Sequence, residues 1–209
     1  MEQFVDRIRQ AIRRIYRVFA KVLNAVSGGK ISPNSVTWFG LAMHIPIAYL
    51  IATNHLVWSG VLLVFFGLFD TLDGELARVQ NRVTNNGGFL DASTDRFKEV
   101  LLYSAAGYLI AQGAHPQYAA IAVAACGASL CVSYVKAKGE AVIVSLSKKI
   151  SYTELNKMFS GGLFPFEIRM IVLILGLLTD QLVWAVLAIA GVSSLTALRR
   201  LTIISRRLV

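Results

Sequence analysis

Long apolar runs alternate with short polar stretches along most of this chain of 209 residues. Each run has roughly the 20 residues that a helix needs to cross about 30 Å of hydrocarbon. The six predicted spans cover residues 35–53, 56–80, 88–113, 117–145, 164–180 and 182–204. The pattern therefore predicts an all-α fold, a polytopic membrane bundle of six transmembrane helices.

A different pattern precedes the first span, because residues 2–22 place apolar side chains at helical spacing and arginines on the other side. This arrangement is typical of an amphipathic helix that lies in the membrane interface. A cleavable signal peptide is not expected, since the arginines are spread through the helix instead of preceding a short apolar core. Gly28 and Gly29 then interrupt the helix. We divide the chain into a juxtamembrane helix with its linker, residues 1–32, and a membrane domain, residues 33–209.

Composition and charge agree with a membrane protein and predict its orientation. Hydrophobic residues make up 56% of the chain and charged residues 16%, which is too apolar for an ordinary soluble domain. The net charge of +9 could indicate nucleic acid binding. However, the three connections around residues 54–55, 115–116 and 179–180 hold no lysine or arginine, so the threading brings all 21 basic residues to one face. The positive-inside rule makes that face cytoplasmic, and we expect a multi-pass protein of the cell membrane, with cytoplasmic termini and no nucleic acid partner.

Four aspartates flank the connection between the second and third spans. Asp70 and Asp73 stand at positions i and i+3 of one helix, and Asp91 and Asp95 stand at i and i+4 of the next. Each pair therefore shares a helix face. The eight residues of the connection VQNRVTNN can fold the two faces together. We expect the four carboxylates to converge near the cytoplasmic membrane boundary.

A cluster of carboxylates at this depth requires counter-charge, and oxygen ligands of this kind suit Mg²⁺ or Mn²⁺. The alternative is that the aspartates cap helix ends in solvent, since Asp favours the first turn of a helix. That alternative could explain Asp91, but Asp70 follows an apolar run and precedes Leu72. The sequence therefore predicts a metal site of Asp70, Asp73, Asp91 and Asp95.

The whole string over residues 70–95 reads D-x2-D-G-x2-A-R-x8-G-x3-D-x3-D. It resembles the signature of the CDP-alcohol phosphotransferase family, whose members join a CDP-linked lipid to a polar alcohol, or the reverse. Fixed residues at fixed spacing over such a length make the match highly specific. The resemblance implies a phospholipid-synthesising transferase with a CDP-linked lipid donor and two Mg²⁺ or Mn²⁺ ions. It also implies release of CMP.

The resemblance assigns roles to individual residues of this chain. Asp70, Asp73 and Asp91 would hold the metal ions, while Asp95 would also contact metal and act as general base on the acceptor hydroxyl. Small side chains at Gly74 and Ala77 leave room for a nucleotide, and the planar fork of Arg78 can pair with a diphosphate. The expected donor-binding residues are Ser32, Pro33, Asn34, Ser35, Gly74, Ala77, Arg78, Thr84 and Gly87.

The acceptor is expected from the segment SYVKAKGEA, residues 133–141, and from Arg169. Both resemble the phosphatidylinositol phosphate synthases, a bacterial branch of the family, which implies inositol phosphate as the acceptor. A phosphorylated acceptor needs cations, and Lys136, Lys138 and Arg169 are the candidates. The two lysines could instead be anchors that snorkel to the membrane interface. That branch usually has Arg where Lys138 stands, so glycerol 3-phosphate, the substrate of phosphatidylglycerophosphate synthases, and a head group without phosphate are alternative acceptors.

A cation transporter or channel is the alternative of a different class, because intramembrane carboxylates often mark ion paths. Such a path needs polar residues that continue to the far side, and spans 1, 2 and 6 offer few. We also expect a homodimer, because spans 3 and 4 carry the small-residue runs 104–107 and 119–129. Small residues allow helix backbones to approach closely in lipid.

Overall fold

The computed structural model describes residues 14, 16–67, 69–145 and 164–208, and helices account for most of them. Within these ranges there is no β-strand, which confirms the all-α prediction. The helices in chain order are α1 (16–26), α2 (Pro33–Ala52), α3 (Leu56–Gly67), α4 (Phe69–Val79), α5 (Asn85–Ala111), α6 (Ala119–Ser145), α7 (Phe166–Leu178) and α8 (Leu182–Leu208). A short 3₁₀ turn, Pro116–Tyr118, precedes α6. The predicted interfacial positions 2–13 and the polar connection 146–163 lie outside the described residues.

Within the described ranges, four helical stretches are long and apolar enough to cross a membrane. They are Pro33–Ala52, Leu56–Val79, Pro116–Ile143 and Leu182–Arg206. The other two predicted spans differ for physical reasons, since α5 begins with a charged half that contains Asp91, Asp95 and Lys98 and α7 has 13 residues. The length and composition of these helices agree with an integral membrane protein, while the number of six spans stays a prediction.

Two residues after the ends of α2, α4 and α7, an asparagine or aspartate adopts the left-handed backbone conformation. Asn54, Asn81 and Asp180 have φ angles of 63°, 52° and 57°, a region that these two residue types tolerate better than most. The chain then folds back with hydrogen bonds to the preceding helix, such as Arg82 N to Ala77 O at 2.8 Å. Short connections of this type produce the predicted helical hairpins without an extended loop.

The described structure divides into two compact units, and the first comprises Met1–Tyr49 and Val61–Leu101. Its core contains Ala20, Val36 and Leu76, contributed by α1, α2 and α4. Leu23, Ile31, Phe69, Leu72 and Val79 pack around that core. A second cluster is aromatic. The ring centroids of its contacting pairs lie 5.2–6.2 Å apart, and its members are Phe39, Phe65, Phe66 and Phe69. Together they fix α4, the helix that carries the first half of the motif.

Helix α1 has two apolar faces with different surroundings. Ala20 is fully buried in the core of the first unit, and Leu23 packs beside it. Phe19 and Val22, two positions of the predicted amphipathic face, are 61% and 55% exposed, and Val26 is 83% exposed. An apolar face that protein does not cover is the arrangement expected of a helix at a membrane surface.

The second unit comprises Leu50–Gly60 and Leu102–Val209, and its helices approach one another over small residues. A Cβ atom added to Gly176 of α7 would overlap the Cβ of Ala185 on α8. A Cβ added to Gly107 would lie 3.2 Å from the Cβ of Ala122 on α6. These close approaches show that part of the small-residue runs predicted for a dimer packs inside the chain itself.

Candidate active site

A cavity of about 220 Å³ lies in the first unit, where α2 and α5 begin and α4 ends. It brings together both halves of the aspartate motif, because Asp73 of α4 and Asp91 of α5 both line it. The other lining residues are Pro33, Asn34, Thr37, Gly74, Ala77, Arg78, Arg82, Val83, Thr84, Gly87 and Gly88. Seven of the nine predicted donor-binding residues are therefore on one surface, and Ser32 and Ser35 are not among them.

The carboxylate of Asp73 is buried at 6% exposure and fixed by a neighbour. Thr37 Oγ1 donates a hydrogen bond of 2.6 Å to Asp73 Oδ2. Thr37 lies one helical turn after Pro33 and also reaches the Pro33 carbonyl at 3.3 Å. This hydrogen bond between α2 and α4 orients one carboxylate oxygen of Asp73 at the cavity wall.

Arg78 lies on the cavity wall and is held there by Glu75. The Arg78 Nη1 atom donates to Glu75 Oε1 at 2.6 Å, and the Arg78 side chain is half exposed. A Cβ atom on Gly74 would lie 3.7 Å from Arg78 Nη1, so the guanidinium lies across the glycine. The arginine retains N–H donors for a bound anion, because its guanidinium has five.

Two hydroxyl residues of the donor-binding prediction serve as helix caps. Ser32 Oγ accepts the Ser35 backbone N–H at 3.1 Å at the start of α2, and Thr84 Oγ1 accepts the Gly87 N–H at 3.0 Å at the start of α5. These bonds satisfy first-turn donors that the helix itself leaves unpaired. Capping explains their local structure, and Thr84 lines the cavity as well. Binding of the donor by these residues stays a prediction.

Asp95 is one turn beyond Asp91 and is surrounded by charge. Its Oδ1 accepts a hydrogen bond of 3.2 Å from Lys98 Nζ, and Arg96 lies 3.7 Å from its Oδ2. Lys98 is 1% exposed, and Arg96 also pairs with the fully buried Glu99 at 2.9 Å. Two carboxylates and two cations thus occupy one stretch of α5, which offsets the cost of burying any one of them.

The residues of the cavity fit a divalent cation by their chemistry. Asp73 and Asp91 line the same cavity, and carboxylate oxygens are the ligands that Mg²⁺ and Mn²⁺ prefer. Among the side chains that the structure describes, which do not include that of Asp70, no three acidic, His or Cys residues stand close enough together to hold a metal ion. The convergence of all four aspartates therefore stays a prediction.

The cavity also contains residues that sequence reasoning missed, and Arg82 is the most informative of them. It belongs to the connection VQNRVTNN, where a lone arginine looks like one more cytoplasmic charge. The left-handed turn at Asn81 brings the chain back over α4, so that Arg82 lines the same cavity as Arg78. Two arginines beside two carboxylates can bind an anion and a cation together.

The three predicted acceptor residues belong to the second unit and have different surroundings. Lys138 is exposed, whereas Lys136 lies 3.7 Å from Glu140 Oε1. Arg169 is 1% exposed and donates from Nη1 to the Phe164 carbonyl at 3.0 Å. Sequence reasoning missed Arg200, which donates to the Val132 carbonyl at 2.9 Å and interacts electrostatically with both Arg169 and Glu140. A pair of arginines in a largely apolar unit is a second sign of an anionic ligand.

A larger cavity, of about 520 Å³, lies in the second unit and carries different chemistry. It is formed by the connections near Asn54, His115 and Asp180, together with apolar residues of the adjoining helices. None of the described residues that line it is a lysine or an arginine. Size alone would favour this cavity, but charge and the motif favour the smaller one as the active site, since a diphosphate needs cations.

Carboxylates and arginines line one cavity among helices of a membrane protein, and these are the groups that a metal ion and a phosphate-containing ligand require. Residues 30–196 match the family model of the CDP-alcohol phosphatidyltransferases, so the chain belongs to this family.

Curated relatives include phosphatidylinositol phosphate synthases. The chain is 35% identical to that of Corynebacterium glutamicum over 151 residues, which cover 71% of this chain and 63% of the relative. It is 31% identical to that of Mycobacteroides abscessus over 157 residues, which cover 69% and 71%. The match thus spans slightly less than two thirds of the first relative's length.

Solved structures of the Mycobacterium tuberculosis phosphatidylinositol phosphate synthase have the same fold. One has CDP-DAG bound and superimposes with a TM-score of 0.77 at 24% identity, over 91% of this chain and 94% of the other. Another contains manganese and citrate and gives the same TM-score over 91% and 88% of the two chains. This likeness shows that the fold is shared over about nine tenths of this chain.

Proposed function

We propose that this protein transfers a phosphatidyl-type group from a CDP-linked lipid, such as CDP-diacylglycerol, to the hydroxyl of a polar acceptor, with release of CMP. The observation that carries the proposal is the single cavity that Asp73, Asp91 and Arg78 line. Family membership and the names of the relatives support this reaction and favour inositol phosphate as the acceptor. Glycerol 3-phosphate is the alternative acceptor.

In the proposed reaction the acceptor hydroxyl attacks the phosphorus that bears the lipid alcohol. A bond forms between the acceptor oxygen and this phosphorus, the bond to the oxygen bridging the two phosphates breaks, and CMP leaves. Asp95 takes the proton of the hydroxyl, and its contact with Lys98 fixes the carboxylate for that role. Arg78, with Gly74 and Ala77 beside it, binds the diphosphate and leaves space for the nucleotide.

Two Mg²⁺ or Mn²⁺ ions would be held by Asp70, Asp73, Asp91 and Asp95. A cation pair of this kind supplies charge stabilisation to attacking and leaving oxygens. The hydrogen bond from Thr37 to Asp73 supports the assignment, because ligating carboxylates are themselves held by neighbouring donors. The manganese complex of the M. tuberculosis synthase is consistent with it.

Arg169 and Lys136 would bind the acceptor phosphate. Lys138 is two residues after Lys136 in the sequence, and Arg200 is near Arg169 in the structure. Arg169 is the strongest candidate, because a buried arginine is retained in an apolar unit only where anions or carbonyl groups satisfy it.

We further propose six membrane spans and cytoplasmic termini, with the active site on the cytoplasmic side. A homodimer would then use the small residues of α5 and α6 that remain exposed.

The test is to incubate purified protein in lipid discs with Mn²⁺ or Mg²⁺ and CDP-diacylglycerol, while CMP release is followed. Inositol phosphate, glycerol 3-phosphate and inositol are supplied in separate reactions. CMP release with one phosphorylated acceptor supports the proposal and identifies the acceptor. Release only with inositol would reject the phosphorylated acceptor. No release with any of them, combined with divalent cation flux in sealed vesicles, would favour the transporter.

A further inference from the structure

Glu75 is a buried carboxylate in the middle of the motif, at a position that the motif leaves variable. Its side chain is 1% exposed, although it stands between Gly74 and the apolar Leu76 on a helix assigned to metal and nucleotide. A buried carboxylate is costly unless charged partners satisfy it. The proposed reaction, on which this inference rests, gives Glu75 no contact with the donor or acceptor. Its burial therefore requires another explanation.

Each oxygen of Glu75 has its own arginine. Oε1 accepts from Arg78 Nη1 at 2.6 Å, and Oε2 accepts from Arg17 Nε at 3.1 Å. The arginine side chains are 50% and 55% exposed, so the carboxylate is the only fully buried member of the group. One arginine belongs to the cavity wall and the other to α1. Glu75 thus joins the juxtamembrane helix to the diphosphate site.

The bond to Glu75 restricts a side chain that would otherwise be mobile. A free arginine loses substantial rotamer freedom when it binds a ligand. Here the Arg78 guanidinium is fixed before the ligand arrives, across the surface that Gly74 leaves open. Because one of its N–H groups goes to Glu75, the remaining donors are directed by that bond. A pre-oriented cation binds a diphosphate more tightly than a mobile one.

Arg17 balances the negative charge of Glu75 when the diphosphate binds to Arg78. Suppose that Arg78 also paired with the diphosphate and that Glu75 had no other partner. The negative charge of the buried Glu75 carboxylate would then no longer be balanced by a neighbouring cation. Arg17 remains beside the other oxygen and prevents this. Helix α1 is held in place for the task, because Ala20 packs in the core with Leu76 and Gln80 Nε2 donates to Asn24 Oδ1 at 2.9 Å.

We propose that Glu75 is a positioning residue, which orients Arg78 for the donor diphosphate and relies on Arg17 of the juxtamembrane helix for its own charge balance. The geometry makes α1 part of the donor site as well as a membrane contact. The ligand class concerned is a diphosphate-linked lipid, and the acceptor side of the reaction is not involved.

The first test is Glu75→Gln, which preserves shape and removes the charge. Loss of one charge-assisted hydrogen bond should raise the KM for CDP-diacylglycerol by about tenfold to a hundredfold. The acceptor KM should stay unchanged, and kcat should fall by less than about threefold, since the reacting groups are intact. Glu75→Asp keeps the buried charge but shortens the side chain, and it should also raise the KM for CDP-diacylglycerol. It is the variant to measure if Glu75→Gln does not fold.

The second test separates positioning from a structural role by adding Glu75→Gln to an Arg78→Ala background. If Glu75 acts through Arg78, the second substitution should change the donor KM by less than about twofold. Equal effects of Glu75→Gln in both backgrounds would overturn the inference, as would an unchanged donor KM in the single variant. A wild-type protein that releases no CMP would instead reject the proposed function.

The third test concerns α1 and compares Arg17 of this helix with Arg14, which lies just before it. Arg17→Gln should raise the donor KM several-fold, because Glu75 then keeps Arg78 from the diphosphate. Arg14→Gln is the matched control, since Arg14 is an exposed arginine two residues before the start of α1 and should leave the KM unchanged. Equal donor KM values for the two variants would overturn the role of α1.

Discussion

The two compact units stabilise their buried side chains in different ways. Among the described residues, the first unit buries four charged side chains, and the second buries Arg169. The four are Asp73, Glu75, Lys98 and Glu99. The second unit instead brings helices together over Gly60, Gly107 and Gly176. Buried charges are weak evidence for stability and strong evidence for chemistry, whereas close helix packing in lipid mainly stabilises the fold. Substitutions in the first unit should therefore change turnover or ligand binding, and those in the second should change the free energy of unfolding.

The largest effect on reaction is expected for Asp95→Asn. The amide nearly preserves the shape and can still contact Lys98, but it cannot take the proton of the acceptor hydroxyl. Turnover should fall by about a hundredfold to ten-thousandfold, while binding of CDP-lipid and metal is retained. Glu167→Gln, on an exposed position of α7, is the control for loss of one carboxylate. Wild-type-like CMP release from Asp95→Asn would remove Asp95 from the role of base.

The next effect concerns Asp73→Asn, which should weaken metal and nucleotide binding together. We expect the affinity for nucleotide in the presence of Mn²⁺ to fall at least about tenfold, or 1.4 kcal/mol, measured by calorimetry with and without the metal. Asp180→Asn is the matched control, because Asp180 follows α7 in a left-handed conformation that Asn54 also adopts. A nucleotide affinity that does not depend on divalent metal, in the wild type and in Asp73→Asn alike, would refute a bridging metal.

A third effect tests whether the second unit also takes part in the chemistry. Arg169→Ala should raise the KM for inositol phosphate or glycerol phosphate by about tenfold or more, since charged hydrogen bonds are lost. The KM for CDP-lipid should change little, because the diphosphate is assigned to Arg78 and the metals. Lys136→Ala should act in the same direction and more weakly. Unchanged acceptor KM values in both variants would identify these residues as membrane anchors.

Stability should respond most clearly to Gly176→Ala in the second unit. The added methyl group overlaps Ala185, and such overpacking costs about 1–3 kcal/mol. Gly191→Ala, on α8, is the control, because its new methyl group meets no atom within 4 Å. The thermal midpoint should fall in the first variant alone, by about 2–4 °C for each kcal/mol. Equal midpoints in the two variants would argue against close packing of α7 and α8.

The smallest effect on activity is expected at the proposed dimer contact. Gly127 of α6 is exposed and has open space where a Cβ would stand, unlike Gly107, which packs against Ala122. A leucine at position 127 should shift the protein from dimer to monomer in mild detergent and lipid discs, with CMP release largely retained. Val123, also exposed on α6, provides the control Val123→Leu. A monomeric mass for the wild type under both conditions would decide against the dimer.

Sequence reasoning predicted the helical membrane fold well, because apolar runs and hairpin connections depend on local rules. It also predicted most of the residues that line the smaller cavity, since the motif fixes α4 and the start of α5, while the binding of a donor there stays a prediction. It did not predict that Thr37 would hold Asp73 or that Arg82 would fold back onto the cavity. Both depend on contacts between segments that no periodicity specifies. The burial of Glu75 was equally hidden, because a glutamate between small and apolar residues looks like a surface position.

The two-sided character of α1 has a practical consequence for handling the protein. Removal of residues 1–26 to obtain a shorter expression product would uncover Val36 and Leu76 and deprive Glu75 of Arg17. A bulky tag fused directly before α1 would compete with lipid or detergent for its exposed strip, Phe19, Val22 and Val26. Affinity tags for purification therefore belong at the other end of the chain, where α8 continues to Leu208.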